Sequence, residues 1–148
     1  MKKDSAYNES DWSFARQLGE GDPMDFLTTR FKKYIRKESR LYFFPKKLKA
    51  YQKTWWEETF YILWLMNGMC DLEEHIELMQ EKNRLYSNEQ LVFGGPGGLA
   101  LRSLDKICRI KTMRRDKVES DSEPVIDSMM DLMNYSILGN LLVRGDLK

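Results

Sequence analysis

The chain has 148 residues, 24 Lys and Arg against 23 Asp and Glu, 42% hydrophobic and 12% aromatic residues, and two cysteines. At this length a single domain with a sizeable core is expected, with no disulfide or metal staple needed to fold. A net charge of +1 removes the simplest nucleic-acid argument, because a sequence-independent binder carries a clear basic excess, and the longest apolar stretch, 60–70, falls well short of the roughly 20 residues of a membrane span.

The first 22 residues are polar and read as an irregular segment, and no apolar run follows Lys2 and Lys3 to make a signal peptide. A cytosolic protein is therefore expected, with Cys70 and Cys108 reduced and buried. Beyond residue 22, apolar residues recur with a period near 3.6 and no useful segment alternates. This predicts an all-α domain over 23–148, a compact bundle of about five helices.

Asp22-Pro23 supplies an N-cap and a proline at the first helical position, opening a helix to about Arg40 with Phe26, Phe31, Tyr34 and Ile35 on its stripe. Pro45 marks the next break. From Lys46 a second helix carries Leu48, Tyr51, Trp55, Thr59, Ile62, Leu63 and Met66 on one stripe. Trp56, Phe60, Tyr61, Trp64 and Leu65 cover other faces, so this helix should be buried, with Gly68 ending or bending it. The helical pattern resumes over 71–84. SNEQLVFGGPGG, residues 87–98, is predicted as a loop. A helix over 99–115, a polar connector DKVESDSE and a last helix from Pro124 to about Val143 complete the domain.

Three polar constellations stand out. Glu73, Glu74, Glu77 and Glu81 gather opposite the apolar Leu72, Ile76 and Met79, and carboxylates at i, i+3 or i, i+4 are what a hard divalent cation takes from one helix. An ordinary solvated face has the same pattern. In the last helix Asp127, Asp131 and Asn134 share the one polar stripe of an apolar helix, so the acids need partners: a metal, basic side chains or water along a narrow solvated face. Between them in sequence, Arg102, Asp105, Lys106 and Arg109 share a face that can bind a polyphosphate or simply pair internally. The GGPGG run lacks the Gly-Lys-Ser/Thr ending of a phosphate loop and reads as a connector.

Across 72–143, a helix leads into Lys82-Asn83-x-x-Tyr86, then Asp105-Lys106-x-x-Arg109, then Asp127-x-x-x-Asp131-Leu-x-Asn134-Tyr135. This order resembles the phage nucleotide modification associated domain and, more distantly, the all-α nucleoside triphosphate pyrophosphohydrolases of the MazG type. Glu73-Glu74-x-x-Glu77 looks like the first metal-binding helix of the latter, and Asp131 like the acid of the second. The resemblance implies a MazG-like fold and Mg²⁺ held by Glu73, Glu74, Glu77, Asp127 and Asp131. It also implies Glu74, Glu77 and Asp131 as catalytic residues, and a nucleotide contacted by Lys82, Asn83, Tyr86, Arg102, Lys106, Arg109 and Asn134.

The expected chemistry is Mg²⁺-dependent hydrolysis of a (deoxy)nucleoside triphosphate or related nucleotide. Asp at both i and i+4 of the last helix departs from the Glu-x-x-Asp of the pyrophosphohydrolases, and the longer spacing from Glu77 to Asp127 departs too. Two other functions stay open: a phage protein that binds or sequesters a nucleotide without turning it over, and a helical scaffold. The wealth of large side chains predicts a homodimer or tetramer, with no membrane and no long nucleic acid as partner.

Overall fold

A computed structural model describes residues 22–83, 89–116 and 125–146, the side chains of Lys82, Asn83 and Asp116 excepted. Five helices make up the described chain, with no strand among the described residues: α1 (Pro23–Arg40), α2 (Pro45–Met66), α3 (Leu72–Asn83), α4 (Glu89–Asp116) and α5 (Val125–Arg144). The all-α bundle expected from the 3.6 periodicity is what forms. The segment 1–21 lies outside the described residues.

The start of α1 follows from two side chains. Asp22 caps it by accepting from the Met24 amide at 2.9 Å, with Pro23 in the first turn. The same carboxylate meets Arg114 Nη1 at 3.1 Å, and Lys111 Nζ reaches Asp25 at 2.7 Å, so the beginning of α1 is fastened to the end of α4. Leu41–Phe44 then turn the chain into α2, whose proline again stands in the first turn.

Aromatic packing holds α1 to α2. Phe31 and Tyr34 lie buried against Trp55 and Trp56, the Phe31 and Trp55 rings meeting edge to face with centroids 5.0 Å apart. Trp56 Nε1 donates to the Tyr34 hydroxyl at 3.0 Å, so two large polar-tipped rings satisfy each other inside the core. Burial pushes the Tyr34 phenol well above its ordinary value, and its hydrogen bond to Glu38 adds to the effect. Arg30 crosses the same interface, donating to Thr59 Oγ1 and to the Trp55 carbonyl, each at 2.9 Å, with its guanidinium over the Trp55 ring.

Helix α5 packs on both α2 and α4, and α1 covers α4. Against α2, a Cβ on Gly139 would stand 2.3 Å from the Trp56 ring, so glycine is what lets the two helices approach. Asn140 Nδ2 donates to the Trp56 carbonyl and to Ser136 O, and Asn67 Nδ2 reaches both Leu63 O and Met129 O. These amides fix the register of α5 on α2.

Two expectations are corrected. The stretch 87–98 was expected to be a loop, yet Glu89–Gly94 is helical and α4 is broken only at Gly95, where φ is +63° and ψ −168°. Glycine adopts that backbone without steric cost and Pro96 then restarts the helix, so the turn residues produce a one-residue break rather than a connector. Cys108, expected to be buried, is exposed, because Ile107 and Ile110 occupy the core side of α4; Cys70 is half-buried. Among the described residues, no helix is long and apolar enough to cross a membrane.

Candidate functional site

Helix α5 carries two sets of polar residues on opposite sides. At about 100° per residue, Asp127, Asp131 and Asn134 lie roughly opposite Ser136, Gly139 and Asn140, the side that meets α2. All three are half-buried. Asp131 Oδ2 pairs with Lys106 Nζ of α4 at 3.0 Å, each side chain about a fifth exposed, at 20% and 21%. The pair sits between a surface ion pair and a buried one.

One helical turn on, Asn134 Oδ1 is buried with no hydrogen-bond partner among the described residues. Asn67 Oδ1, on the α2 side, is buried in the same way. Asn134 lies on the same stripe as the Asp131–Lys106 pair. Arg102 and Arg109 are exposed on α4, one turn to either side of Lys106.

The acidic residues of α3 have a local reason for part of their pattern. Asp71 Oδ1 accepts from the amides of Glu73 and Glu74, at 3.0 and 3.3 Å. The run Asp71-x-x-Glu74 is thus a helix start with acids in its first turn, which favour the positive end of the helix dipole. Glu73, Glu77 and Glu81 are exposed and Glu74 is half-buried. His75 is buried on the inner side of α3.

The structure therefore brings together Asp131 and Lys106, and places Asp127 and Asn134 on the same stripe. It does not bring the α3 glutamates together with Asp127 and Asp131 as one ligand set: no three His, Cys, Asp or Glu side chains among the described residues stand close enough to hold a metal ion. A Mg²⁺ ion asks for less, since it keeps several waters and uses one or two carboxylates plus substrate phosphates. Asp131 and Asp127 are the carboxylates on that stripe. Tyr86 lies outside the described residues, as do the side chains of Lys82 and Asn83.

A cleft of about 280 Å³ between α2, α3 and α5 did not emerge from the sequence, lined by Phe60, Leu72, Ile76, Ile137, Asn140 and Arg144. Its only advance signal was an asparagine in the otherwise apolar run Leu138–Val143. Comparison with protein-family models, curated proteins and solved structures finds no match to this chain.

Proposed function

We propose that the chain is a MazG-like, Mg²⁺-dependent nucleotide pyrophosphohydrolase that takes a (deoxy)nucleoside triphosphate or related nucleotide on the α4–α5 face. The observation that carries this reading is the half-buried Lys106–Asp131 pair, with the unmet oxygen of Asn134 one turn away. The pair is exposed enough to exchange partners, and a ligand that offers a new partner to both charges competes with it best. A nucleotide that arrives with its Mg²⁺ offers an anion to Lys106 and a cation to Asp131. A bare phosphate satisfies only one of them.

On this reading Asp131 and Asp127 would hold Mg²⁺ with Asn134 beside them, and Glu73, Glu74 and Glu77 belong to the ligand set on the strength of the resemblance alone. Held there, Mg²⁺ would supply Lewis-acid activation of a water and charge neutralisation at phosphorus. Lys106, Arg102 and Arg109 hold the remaining phosphates, Lys106 as a point charge and the arginines in bidentate fashion. Lys82, Asn83 and Tyr86 complete the nucleotide contacts on the strength of the resemblance. The setting proposed is the cytoplasm of a bacterium or a phage-infected cell.

Binding without turnover is the second reading, and the last helix favours it, because Asp127 and Asp131 at i and i+4 depart from the Glu-x-x-Asp that the resemblance would require of an active enzyme. One experiment separates the two. The protein is incubated with the common ribo- and deoxyribonucleoside triphosphates and Mg²⁺, following pyrophosphate release and binding together. Turnover that Asp131→Asn abolishes while the fold is retained supports the enzyme. Tight binding of an unchanged nucleotide, weakened by Arg109→Ala, supports sequestration. If nothing is bound or cleaved, a helical scaffold is left.

We propose further that the chain forms a homodimer or tetramer. An apolar groove of about 670 Å³ between α1 and α2, lined in part by Phe26, Tyr61, Ile62 and Leu65, is surface a second copy could cover. Sedimentation at micromolar concentration giving only a monomer removes this proposal.

A further inference from the structure

The near-neutral charge of the whole chain conceals a strong segregation. Residues 30–53 hold ten of the 24 Lys and Arg but only Glu38 of the 23 acids, so this stretch carries +9 and the rest of the chain −8. In the structure it is the end of the α1–α2 hairpin. Lys32, Lys33, Arg36, Lys37 and Arg40 on α1, with Lys46, Lys47, Lys49 and Lys53 on α2, are all exposed. None of these nine cations has a carboxylate partner among the described residues. At the tip between them, Tyr42, Phe43 and Phe44 are 70%, 82% and 53% exposed, three consecutive large aromatics that the core does not use.

We infer that this hairpin end binds single-stranded nucleic acid, the phosphates following the cations and the bases stacking on the tip aromatics. Exposed rings beside a basic track are what sequence-tolerant single-strand binding requires, because every base has a stacking face. Tyr42 and Phe43 meet edge to face, at 87°, so each keeps a broad face uncovered. The spread of charge decides against the other polyanion, an anionic membrane. Lys32 and Lys53 lie about ten residues from the tip, some 15 Å along a helix. This exceeds the roughly 8 Å over which salt screens a charge from a plane touching the tip. A flexible strand can lie along the helices and meet the distant cations as well as the near ones.

The test uses the full chain and a fluorescein-labelled oligothymidylate of about 20 nucleotides, followed by anisotropy from about 50 to 200 mM salt. Vesicles of phosphatidylserine and phosphatidylcholine serve as the competing probe. Binding to the oligonucleotide should weaken steeply with salt. Phe43→Ala should lower affinity between about five- and a hundredfold. Lys46→Glu with Lys47→Glu should lower it further and flatten the salt slope, since each lost phosphate contact on a single strand removes about 0.7 from that slope. All three side chains are exposed, so circular dichroism should be unchanged and a folding defect is distinguishable from a binding one. No binding at the lowest salt, binding indifferent to these substitutions, or binding to vesicles alone would each overturn the inference. Loss of nucleotide hydrolysis or binding at the α4–α5 face has no bearing on it, because the two surfaces share no residue.

Discussion

The two sides of α5 treat their polar side chains differently. Towards α2, the amides of Asn140 and Asn67 donate to main-chain carbonyls across the interface, and Gly139 leaves no room between α5 and Trp56. On the opposite side Asp131 has Lys106 as its partner, whereas a buried amide oxygen with no hydrogen bond among the described residues occurs on both sides, at Asn67 Oδ1 and at Asn134 Oδ1. A main-chain carbonyl never leaves, so bonds to it specify how helices pack. A partly exposed ion pair can exchange partners, and that is where a ligand competes. The first side is architecture and the second is available for chemistry.

The sharpest way to break the first side is Gly139→Ala. Its Cβ would lie 2.3 to 2.5 Å from three Trp56 ring atoms, and Trp56 is wholly buried and tied to Tyr34, so the ring has nowhere to withdraw. Overpacking of this kind costs about 1–3 kcal/mol and occasionally more. The upper end, about 3 kcal/mol, is expected from urea midpoints. Gly97→Ala is the control: its Cβ meets only the end of the flexible Glu38 side chain, and alanine favours the helix by up to about 1 kcal/mol. Equal effects of the two substitutions would show that the α2–α5 contact is not the tight one.

Tyr34→Phe comes next. It leaves Trp56 Nε1 buried without its acceptor, which costs about 1–3 kcal/mol. It also has a pH signature. The folded protein holds the Tyr34 phenol protonated above its ordinary value, so the unfolded chain loses that proton first as pH rises. Stability from this group is complete below the unfolded value of about 10 and falls above it. Chemical denaturation at pH 9 and 11 should show this decline in the wild type and a shallower one in Tyr34→Phe. An unchanged slope would remove the account of Tyr34.

How much of this was legible in the sequence differs between the same two sides. The α1 start at Asp22-Pro23 and the apolar faces of α5 were readable, because periodicity and capping are local, whereas α2, expected to be buried nearly all round, buries one side and leaves Tyr61 exposed. The helical start of α4 was not readable, because turn residues signal a break without saying that it spans a single residue, Gly95. The α3 glutamates drew attention as ligands while Asp71 gave their first turn an ordinary helical reason. The partner of Asp131 was beyond the sequence: the stripe required one, but only tertiary packing selects Lys106 from among cations and metal.

The smallest effect belongs to Asp131→Asn in the absence of ligand. The substitution keeps the side-chain shape and removes the charge that Lys106 meets at 3.0 Å. Breaking a buried pair costs about 3–5 kcal/mol and an exposed one about 0–1. With about a fifth of each side chain in water, Lys106 can turn its ammonium outwards, so the loss should fall near the exposed limit, about 1 kcal/mol. Pairing with Lys106→Met in a double-mutant cycle isolates the interaction. The coupling should shrink as salt is raised, which a bond to a main-chain carbonyl such as that of Asn140 would not do. A coupling as large as the cost of Tyr34→Phe, and indifferent to salt, would make the far side of α5 as fixed as the side on α2. The pair would then be architecture, too firmly held to yield to a nucleotide.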